Sequence, residues 1–258
     1  MQTETINRLI NPYNGQRLRL VKIYNEPYLT DYAGNRIPVI DGIPDFTVLE
    51  NTSGLNLKYR TLYDKISSLN DIAELIYSFF LNLGKLRKAW MRDVEVKPGY
   101  KVLETSAGTG WNFRVLPRLA HYYGLDISRG MLKQAQKNIT KWELDVQLFQ
   151  GNAEYLPFAD QQFDSVFHVG GINFFNDRKR AIEEMIRVAK PGTKIVIIDE
   201  TEGRIRKQYQ KTPFIKRYFA AIDFDRTIAP VDLVPAGMKD LEVKLLDKGR
   251  MYQLSFRV

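Results

Sequence analysis

Residues 102–110 read Val-Leu-Glu-Thr-Ser-Ala-Gly-Thr-Gly, an apolar start that runs into a glycine turn. The pattern predicts a short buried strand, Lys101–Leu103, followed by the turn and a helix through Leu119. Glycines let a backbone approach a ligand closely, and a strand-to-helix turn at the carboxyl end of a parallel sheet is the usual ligand crevice. A glycine turn by itself is weak support, because any tight strand-to-helix connection favours glycine.

Outward from this turn, short apolar runs alternate with helical patterns. Strands are predicted at residues 122–127, 146–149, 163–169 and 194–198, with helices at 128–138 and 177–189. Such alternation predicts an α/β fold whose mostly parallel sheet carries helices on both faces. The end of the chain differs, because residues 241–246 and 251–256 predict an antiparallel hairpin around a turn at 247–250.

Asp126 stands at the end of the second predicted strand, 16 residues after Gly110. An acid there can accept hydrogen bonds from both hydroxyls of a ribose. An aspartate that only caps the next helix is the other interpretation, and the spacing from the glycine turn favours the ribose. A nicotinamide dinucleotide fits poorly, because Phe113 occupies the position of the last glycine in the G-x-G-x-x-G pattern and would crowd the pyrophosphate.

Four segments within residues 101–200 carry a family resemblance. They read VLETSAGTG, YYGLDISRGMLKQAQKN, QGNAEYLPFADQQFDSVFHV and AIEEMIRVAKPGTKIVIIDE. Together they resemble the class I S-adenosylmethionine-dependent methyltransferases, especially the group that acts in ubiquinone and menaquinone biosynthesis. The resemblance implies a Rossmann-like α/β domain whose sheet ends in the antiparallel hairpin, and a reaction that transfers the methyl group of S-adenosylmethionine.

The resemblance also assigns positions around the cofactor. The methionine part would contact Glu104, Ser106, Gly108 and Gly110, the ribose Asp126, and the adenine Ile127, Met131, Asn152 and Ala153. Two of these positions depart from the family pattern, since Ser106 replaces a glycine and Asn152 an aspartate. Serine is small, and asparagine still offers an acceptor to the adenine amine, so cofactor binding is expected to survive both changes.

Residues 11–46 resemble the small zinc-ribbon segment that precedes the catalytic domain in many bacterial methyltransferases. The four ligand positions of that segment are occupied here by Asn11, Asn14, Thr30 and Ala33. The chain has no cysteine, so a thiolate zinc site is impossible. We therefore predict a metal-free β cap. Three roles of this cap stay open: it could cover part of the substrate pocket, bind a partner, or be purely structural.

Further candidate residues are judged by their position. His168 ends the fourth predicted strand, where it could face the cofactor and accept a substrate proton, or could simply be packed. Asn173 has a weaker claim, and His121 lies at the wrong end of its strand and is predicted to be structural. Tyr63 could reach the cofactor carboxylate. The apolar segment at residues 72–81 could close over an apolar substrate or could belong to the core.

Positive charge is concentrated near the C-terminus. The chain has a formal net charge of +8, and residues 201–258 hold 12 basic and 7 acidic side chains, which is +5. Six of the basic residues and no acid fall within residues 203–217. This basic segment predicts contact with an anionic ligand, an anionic membrane surface or RNA, or else a solvated face.

The sequence therefore predicts three parts: a β cap at 1–50, a helical lid or linker at 51–99 and a methyltransferase domain at 100–258. The N-terminus lacks the pattern of a signal peptide and the longest apolar stretch is too short to span a bilayer, so a cytoplasmic protein is expected. The first expected function is methyl transfer to a small-molecule acceptor, lipophilic or anionic. An RNA methyltransferase and a non-catalytic cofactor-binding or scaffold protein are the alternatives.

Overall fold

The computed structural model describes residues 3–50, 52–65, 67, 83–201, 203 and 228–258. Two sheets are formed by these residues. The N-terminal sheet has four antiparallel strands in the order β1-β2-β3-β4, which are β1 Arg19–Ile23, β2 Glu26–Thr30, β3 Arg36–Ile40 and β4 Ile43–Pro44. It forms the β cap expected from the sequence.

The large sheet has seven strands. In chain order they are β5 Lys101–Glu104, β6 His121–Asp126, β7 Val146–Gln150, β8 Ser165–Val169, β9 Lys194–Glu200, β10 Lys239–Leu246 and β11 Met251–Arg257. Across the sheet the order is β10-β11-β9-β8-β5-β6-β7, with β9 to β7 parallel and β11 antiparallel between β9 and β10. The predicted α/β fold, with a mostly parallel sheet and a terminal hairpin, is confirmed.

The helices among the described residues are α1 Thr3–Ile6, α2 at 54–65, α3 Leu83–Trp90, α4 Arg129–Lys141 and α5 Arg178–Val188. Side-chain caps begin two of them. Ser128 Oγ accepts the N–H of Met131 at 3.1 Å, and Asp177 Oδ1 accepts the N–H of Arg180 at 2.9 Å. Each cap satisfies a backbone donor for which the first helical turn has no carbonyl. Within the described ranges, no helix combines the length and apolar character needed to cross a membrane.

The predicted helix after the glycine turn is wrong. Residues 111–119 contain a single 3-10 turn, Phe113–Val115. Leu116, which follows it, is extended with φ −81° and ψ 154°, because Pro117 disfavours the helical conformation for the residue before it. The predicted lid at residues 72–81 and the basic residues 204–217 lie outside the described residues, so their roles stay predictions.

Alternate residues of the parallel strands face opposite sides of the large sheet. On one side, Leu103 and Val166 belong to the buried cluster that includes Ile182 of α5. On the other side, Val102 and Phe167 belong to a cluster with residues of α3. A period of two in burial is the geometry of a strand, and apolar residues on both faces are typical of a parallel sheet covered on both sides.

The cap shares its core with the large sheet. Leu29 and Phe46 of the cap are buried in the same cluster as Phe149 of β7. An isolated parallel bridge also pairs Asp45 with Gln150 at the end of β7, which is the edge strand of the large sheet. The cap therefore packs beside the edge strand β7, near the carboxyl ends of β6 and β7.

Candidate active site

The glycine turn after β5 is held against the end of β6. Gly108 and Gly110 have φ values of +53° and +81°, a left-handed backbone that glycine adopts without strain. The N–H of Gly108 donates to Asp126 Oδ2 at 2.8 Å. The two sequence features that predicted a cofactor, the turn and the acid, are therefore in direct contact.

Asp126 is buried and bonded through both of its oxygens. Its Oδ1 accepts the N–H of Ser128 at 2.9 Å, while Oδ2 accepts that of Gly108. Burial raises its pKa to about 6, the two backbone donors oppose the rise, and the negative charge of Asp64 adds to it. Because each carboxylate oxygen has two acceptor sites, both can still accept a hydroxyl, as the ribose prediction requires.

Glu104 is fully buried at the end of β5. Its Oε1 accepts a hydrogen bond from Asn112 Nδ2, whereas Oε2 has no partner among the described residues. Burial raises the pKa of Glu104 to about 8, although the Asn112 bond and the charge of Arg87 lower it. Arg87 Nη1 in turn donates to Asn112 Oδ1 at 2.5 Å. The buried oxygen without a donor fits an ammonium group such as that of the methionine part.

Ser106 and His168 lie at the carboxyl ends of the neighbouring strands β5 and β8. A Cβ added to Gly171 would lie 3.8 Å from Ser106 Oγ, so the serine that replaces a family glycine faces the loop after β8. His168 Nδ1 is hydrogen-bonded to Thr105 Oγ1 at 3.0 Å, and its Nε2 is buried without a partner among the described residues. Burial lowers the pKa of His168 to about 3, so the ring is neutral at physiological pH.

The end of β9 contributes a residue that sequence reasoning missed. Asp199 is buried and accepts the N–H groups of Asn173 at 3.1 Å and Glu200 at 2.7 Å. Burial raises its pKa to about 7. The Asn173 side chain accepts a bond from Tyr252 Oη at 3.2 Å, so it ties the loop after β8 to β11. The pair Asp199-Glu200 at a predicted strand end was the available signal.

Helix α2 brings two residues to this face. Burial is the first cause that raises the pKa of Tyr63, and the nearby charge of Glu200 is the next. Asp64, which follows Tyr63 in the sequence and was assigned no role there, accepts hydrogen bonds at Oδ1 from Ser128 Oγ at 2.6 Å and from the N–H of Gly130 at 2.8 Å. The helix therefore contacts the N-terminus of α4 beside Asp126, and Tyr63 lies near the carboxylates around the crevice.

The predicted adenine contacts surround the ends of β6 and β7. Met131 and Ala153 are buried and Ile127 is partly exposed. Asn152 is also buried, and its Oδ1 accepts the N–H of Glu154 at 2.9 Å. The oxygen that the sequence analysis assigned to the adenine amine thus already accepts one hydrogen bond within the protein.

Two of the four positions that resemble zinc ligands contact a carboxylate. Asn11 and Asn14 donate their side-chain N–H groups to Asp31 Oδ2 at 2.8 and 2.9 Å. Thr30 Oγ1 donates to the backbone carbonyl of Asp31 at 3.2 Å, and the N–H of Ala33 bonds to a glutamine elsewhere in the cap. A hydrogen-bonded aspartate, which the sequence analysis did not single out, therefore lies between the two knuckle-like turns.

Comparison with known proteins agrees with this geometry. Residues 103–197 match the family described as "Methyltransferase domain". The solved structure of a S-adenosylmethionine-dependent methyltransferase from Thermotoga maritima is similar, with a TM-score of 0.56 and 18% identity over 74% of this chain and 97% of that one. A protein from Methanococcus maripaludis has a TM-score of 0.54 and 21% identity over 81% and 95% of the chains. At such identities the likeness is one of fold. Residues 103–197 thus match a methyltransferase-domain family, and the large sheet has the fold of solved S-adenosylmethionine-dependent methyltransferases.

The curated relatives that match this chain carry a more specific name. A demethylmenaquinone methyltransferase from Listeria monocytogenes serotype 4a is 35% identical over 153 residues, which is 57% of this chain and 64% of the relative. The enzyme of that name from Bacillus mycoides is 33% identical over 154 residues, 56% of this chain and 63% of the relative. The match to these relatives spans just under two thirds of their length.

Proposed function

We propose that this protein binds S-adenosylmethionine and transfers its methyl group to a small lipophilic acceptor. The observation that carries the proposal is the arrangement at the ends of β5 and β6, where a buried carboxylate oxygen of Glu104 meets no donor among the described residues and Asp126 holds the glycine turn. The family match over residues 103–197 supports the same function.

Each of these groups has a distinct task in binding. Glu104 Oε2 accepts the ammonium of the methionine part, because a buried acceptor without a donor is costly until one arrives. Asp126 accepts the ribose hydroxyls with the sites that its backbone donors leave open. The bound cofactor supplies an electrophilic methyl group, and the contribution of the chain to catalysis is mainly alignment of the acceptor with it.

In this proposal, His168 helps to position the backbone that lines the crevice. Its hydrogen bond to Thr105 holds the residue that follows β5, and its neutral, fully buried ring suits a positioning role. The proton-accepting role considered from the sequence stays a prediction. Tyr63 closes the crevice from α2 in this proposal, next to the carboxylates that raise its pKa.

Calorimetry with S-adenosylmethionine tests the cofactor. Asp126→Ala is expected to weaken binding by about 1–3 kcal/mol, the range for lost hydrogen bonds to a buried charged group. Asp145→Ala is the matched control, because Asp145 is exposed and lies before β7, at the end of the strand remote from the site. Equal affinity in the wild type and Asp126→Ala would remove Asp126 from the ribose role.

Turnover tests the acceptor. Demethylated menaquinone is the first compound to try, because the curated relatives are named for it. We expect it to stimulate formation of S-adenosylhomocysteine, and we expect no methyl incorporation into RNA. Incorporation into RNA alone would replace the acceptor class, and cofactor binding without turnover on a broad panel would favour the non-catalytic alternative.

A further inference from the structure

The Asn152 amide presents its donor, and not its acceptor, to the side that faces the cap. Its Oδ1 accepts the N–H of Glu154, and its Nδ2 donates to Glu50 Oε1 at 3.0 Å. An amide nitrogen is only a donor, so the Asn152 amide presents an N–H toward Glu50. The acceptor that this N–H meets is the Glu50 carboxylate, which comes from the cap.

The Glu50 carboxylate is fixed in place and still has acceptor sites for a ligand. Its backbone N–H donates to Thr47 O at 3.3 Å and ends the 3-10 turn Phe46–Leu49. Its Oε1 accepts a hydrogen bond from Asn152 Nδ2 at 3.0 Å, and its Oε2 is buried. Burial raises the pKa of Tyr13, and the charge of Glu50 and a side-chain hydrogen bond with Glu50 add to the rise, so the Tyr13 hydroxyl faces this carboxylate. Because a carboxylate has about four acceptor sites, Glu50 can still accept a hydrogen bond from a ligand that donates.

The position of Glu50 relative to Asp126 fits a nucleoside. The N–H of Gly151, directly after β7, donates to the backbone carbonyl of Asp126 at 3.0 Å. The bridge between Asp45 and Gln150 brings the end of the cap to the same strand end. Neighbouring strand ends line one crevice in such sheets. A ribose bound at Asp126 can thus direct its base toward the loop after β7, where Glu50 lies.

We propose that Glu50 is a cofactor-binding residue whose carboxylate accepts the exocyclic amine of the adenine. The cap then completes the binding site, with Asn152 as the residue that orients Glu50. This inference rests on the proposed function, because it takes S-adenosylmethionine as the ligand.

Binding of two related ligands tests the proposal. S-Adenosylhomocysteine carries the amine, and its deaminated analogue S-inosylhomocysteine carries a carbonyl oxygen instead. The wild type is expected to bind the adenine form roughly tenfold to a hundredfold more tightly, the value of a hydrogen bond to a charged acceptor. Glu50→Gln is expected to lose most of this preference, because the amide can turn its N–H toward the carbonyl. Glu26→Gln is the matched control, since Glu26 is an exposed cap glutamate.

An exchange of the carboxylate and the amide between positions 50 and 152 distinguishes an effect on adenine recognition from an effect on folding. Asn152→Asp alone places a second carboxylate beside Glu50, so it is expected to weaken binding of S-adenosylhomocysteine. The double variant Glu50→Gln/Asn152→Asp restores one carboxylate and one amide, and it is expected to recover the preference for the adenine form in part. Thermal unfolding of each variant reports whether the cap is still folded.

The outcomes distinguish the two proposals. If the wild type binds neither S-adenosylhomocysteine nor S-adenosylmethionine, the proposed function fails. If the wild type prefers the adenine form and folded Glu50→Gln keeps the full preference, the role of Glu50 is refuted while the proposed function stands. Loss of the preference in Glu50→Gln with no change in Glu26→Gln supports the role of Glu50.

Discussion

The pKa values of two buried carboxyl groups, Asp31 in the cap and Glu104 at the end of β5, are shifted in opposite directions. Asp31 accepts side-chain N–H groups from Asn11, Asn14 and Asn35, and also the backbone N–H of Asn35 at 3.0 Å. Burial would raise the pKa of Asp31, but these hydrogen bonds hold it well below its usual range. Glu104 accepts one hydrogen bond from Asn112, and burial raises its pKa to about 8.

The difference shows that hydrogen-bond saturation, and not burial alone, separates a structural carboxylate from one that awaits a ligand. Donors compensate the desolvation of Asp31, so its charge is stable inside the cap. The second oxygen of Glu104 has no donor among the described residues, so the neutral form is favoured until a cationic group binds. Two of the positions that resemble zinc ligands, Asn11 and Asn14, thus provide donors to an internal anion.

The largest effect is expected from Asp31→Asn. The new amide is similar in size, but its N–H₂ group faces asparagine donors and leaves some of them unbonded. We expect the free energy of unfolding to fall by about 3 kcal/mol, the cost of breaking a buried hydrogen-bonded charge cluster. Urea unfolding measures this change, and Glu26→Gln on the cap surface is the control.

Acid unfolding gives that prediction a second readout. Because the folded-state pKa of Asp31 lies below its unfolded value, the stability it contributes is present above about pH 4 and is lost as the pH falls further. Asp31→Asn is expected to lack this loss. A variant as stable as the wild type, with the same acid dependence, would mean that the cluster contributes little to the cap.

Glu104→Gln tests a carboxyl group whose contribution to the free energy of unfolding depends on pH in the opposite direction to that of Asp31. With a folded-state pKa of about 8 and an unfolded value of about 4.3, Glu104 keeps its proton in the folded state between pH 5 and pH 7. Stability therefore falls as the pH rises across this window, by about 2 kcal/mol for this one group. Urea unfolding at pH 5, 6 and 7 is expected to show a shallower fall in Glu104→Gln, and an unchanged slope would contradict the raised pKa.

Gly130→Ala tests the contact between α2 and α4. An added Cβ would lie 2.9 Å from both Cα and the carbonyl oxygen of Asp64, so the backbone of α2 must shift. We expect a loss of about 1 kcal/mol in the free energy of unfolding after the gain in helix propensity, together with weaker cofactor binding. Gly84→Ala in α3 is the matched control, because its Cβ meets nothing within 4 Å and the change is expected to be neutral or stabilising.

The smallest effect is a predicted absence of titration at His168. Burial lowers its pKa to about 3, so its ring resonances are expected to keep constant NMR chemical shifts between pH 5 and pH 8. A titration step in that interval that disappears in His168→Gln would show that the ring reaches solvent and would revive its role as a proton acceptor.

Local patterns in the sequence were sufficient for the frame of the large sheet. Short apolar runs that alternate with helical patterns predicted the parallel strands, and the turn at 247–250 predicted the hairpin. The spacing from Gly110 to Asp126 predicted a shared site, and the bond from Gly108 to Asp126 confirms that the two features meet. Such features depend on windows of a few residues, in which period and capping act directly.

Contacts between distant segments were decided only by the tertiary structure. Glu50 meets Asn152, and Asp64 meets Ser128, across 102 and 64 residues of chain. The absence of cysteine excluded a thiolate zinc site, but the hydrogen bonds from Asn11 and Asn14 to Asp31 depend on how two turns distant in the chain meet. Burial likewise set the state of Glu104. A side chain's partners and solvent exposure follow from the packing of remote elements, and periodicity along the chain carries no information about which remote elements will meet.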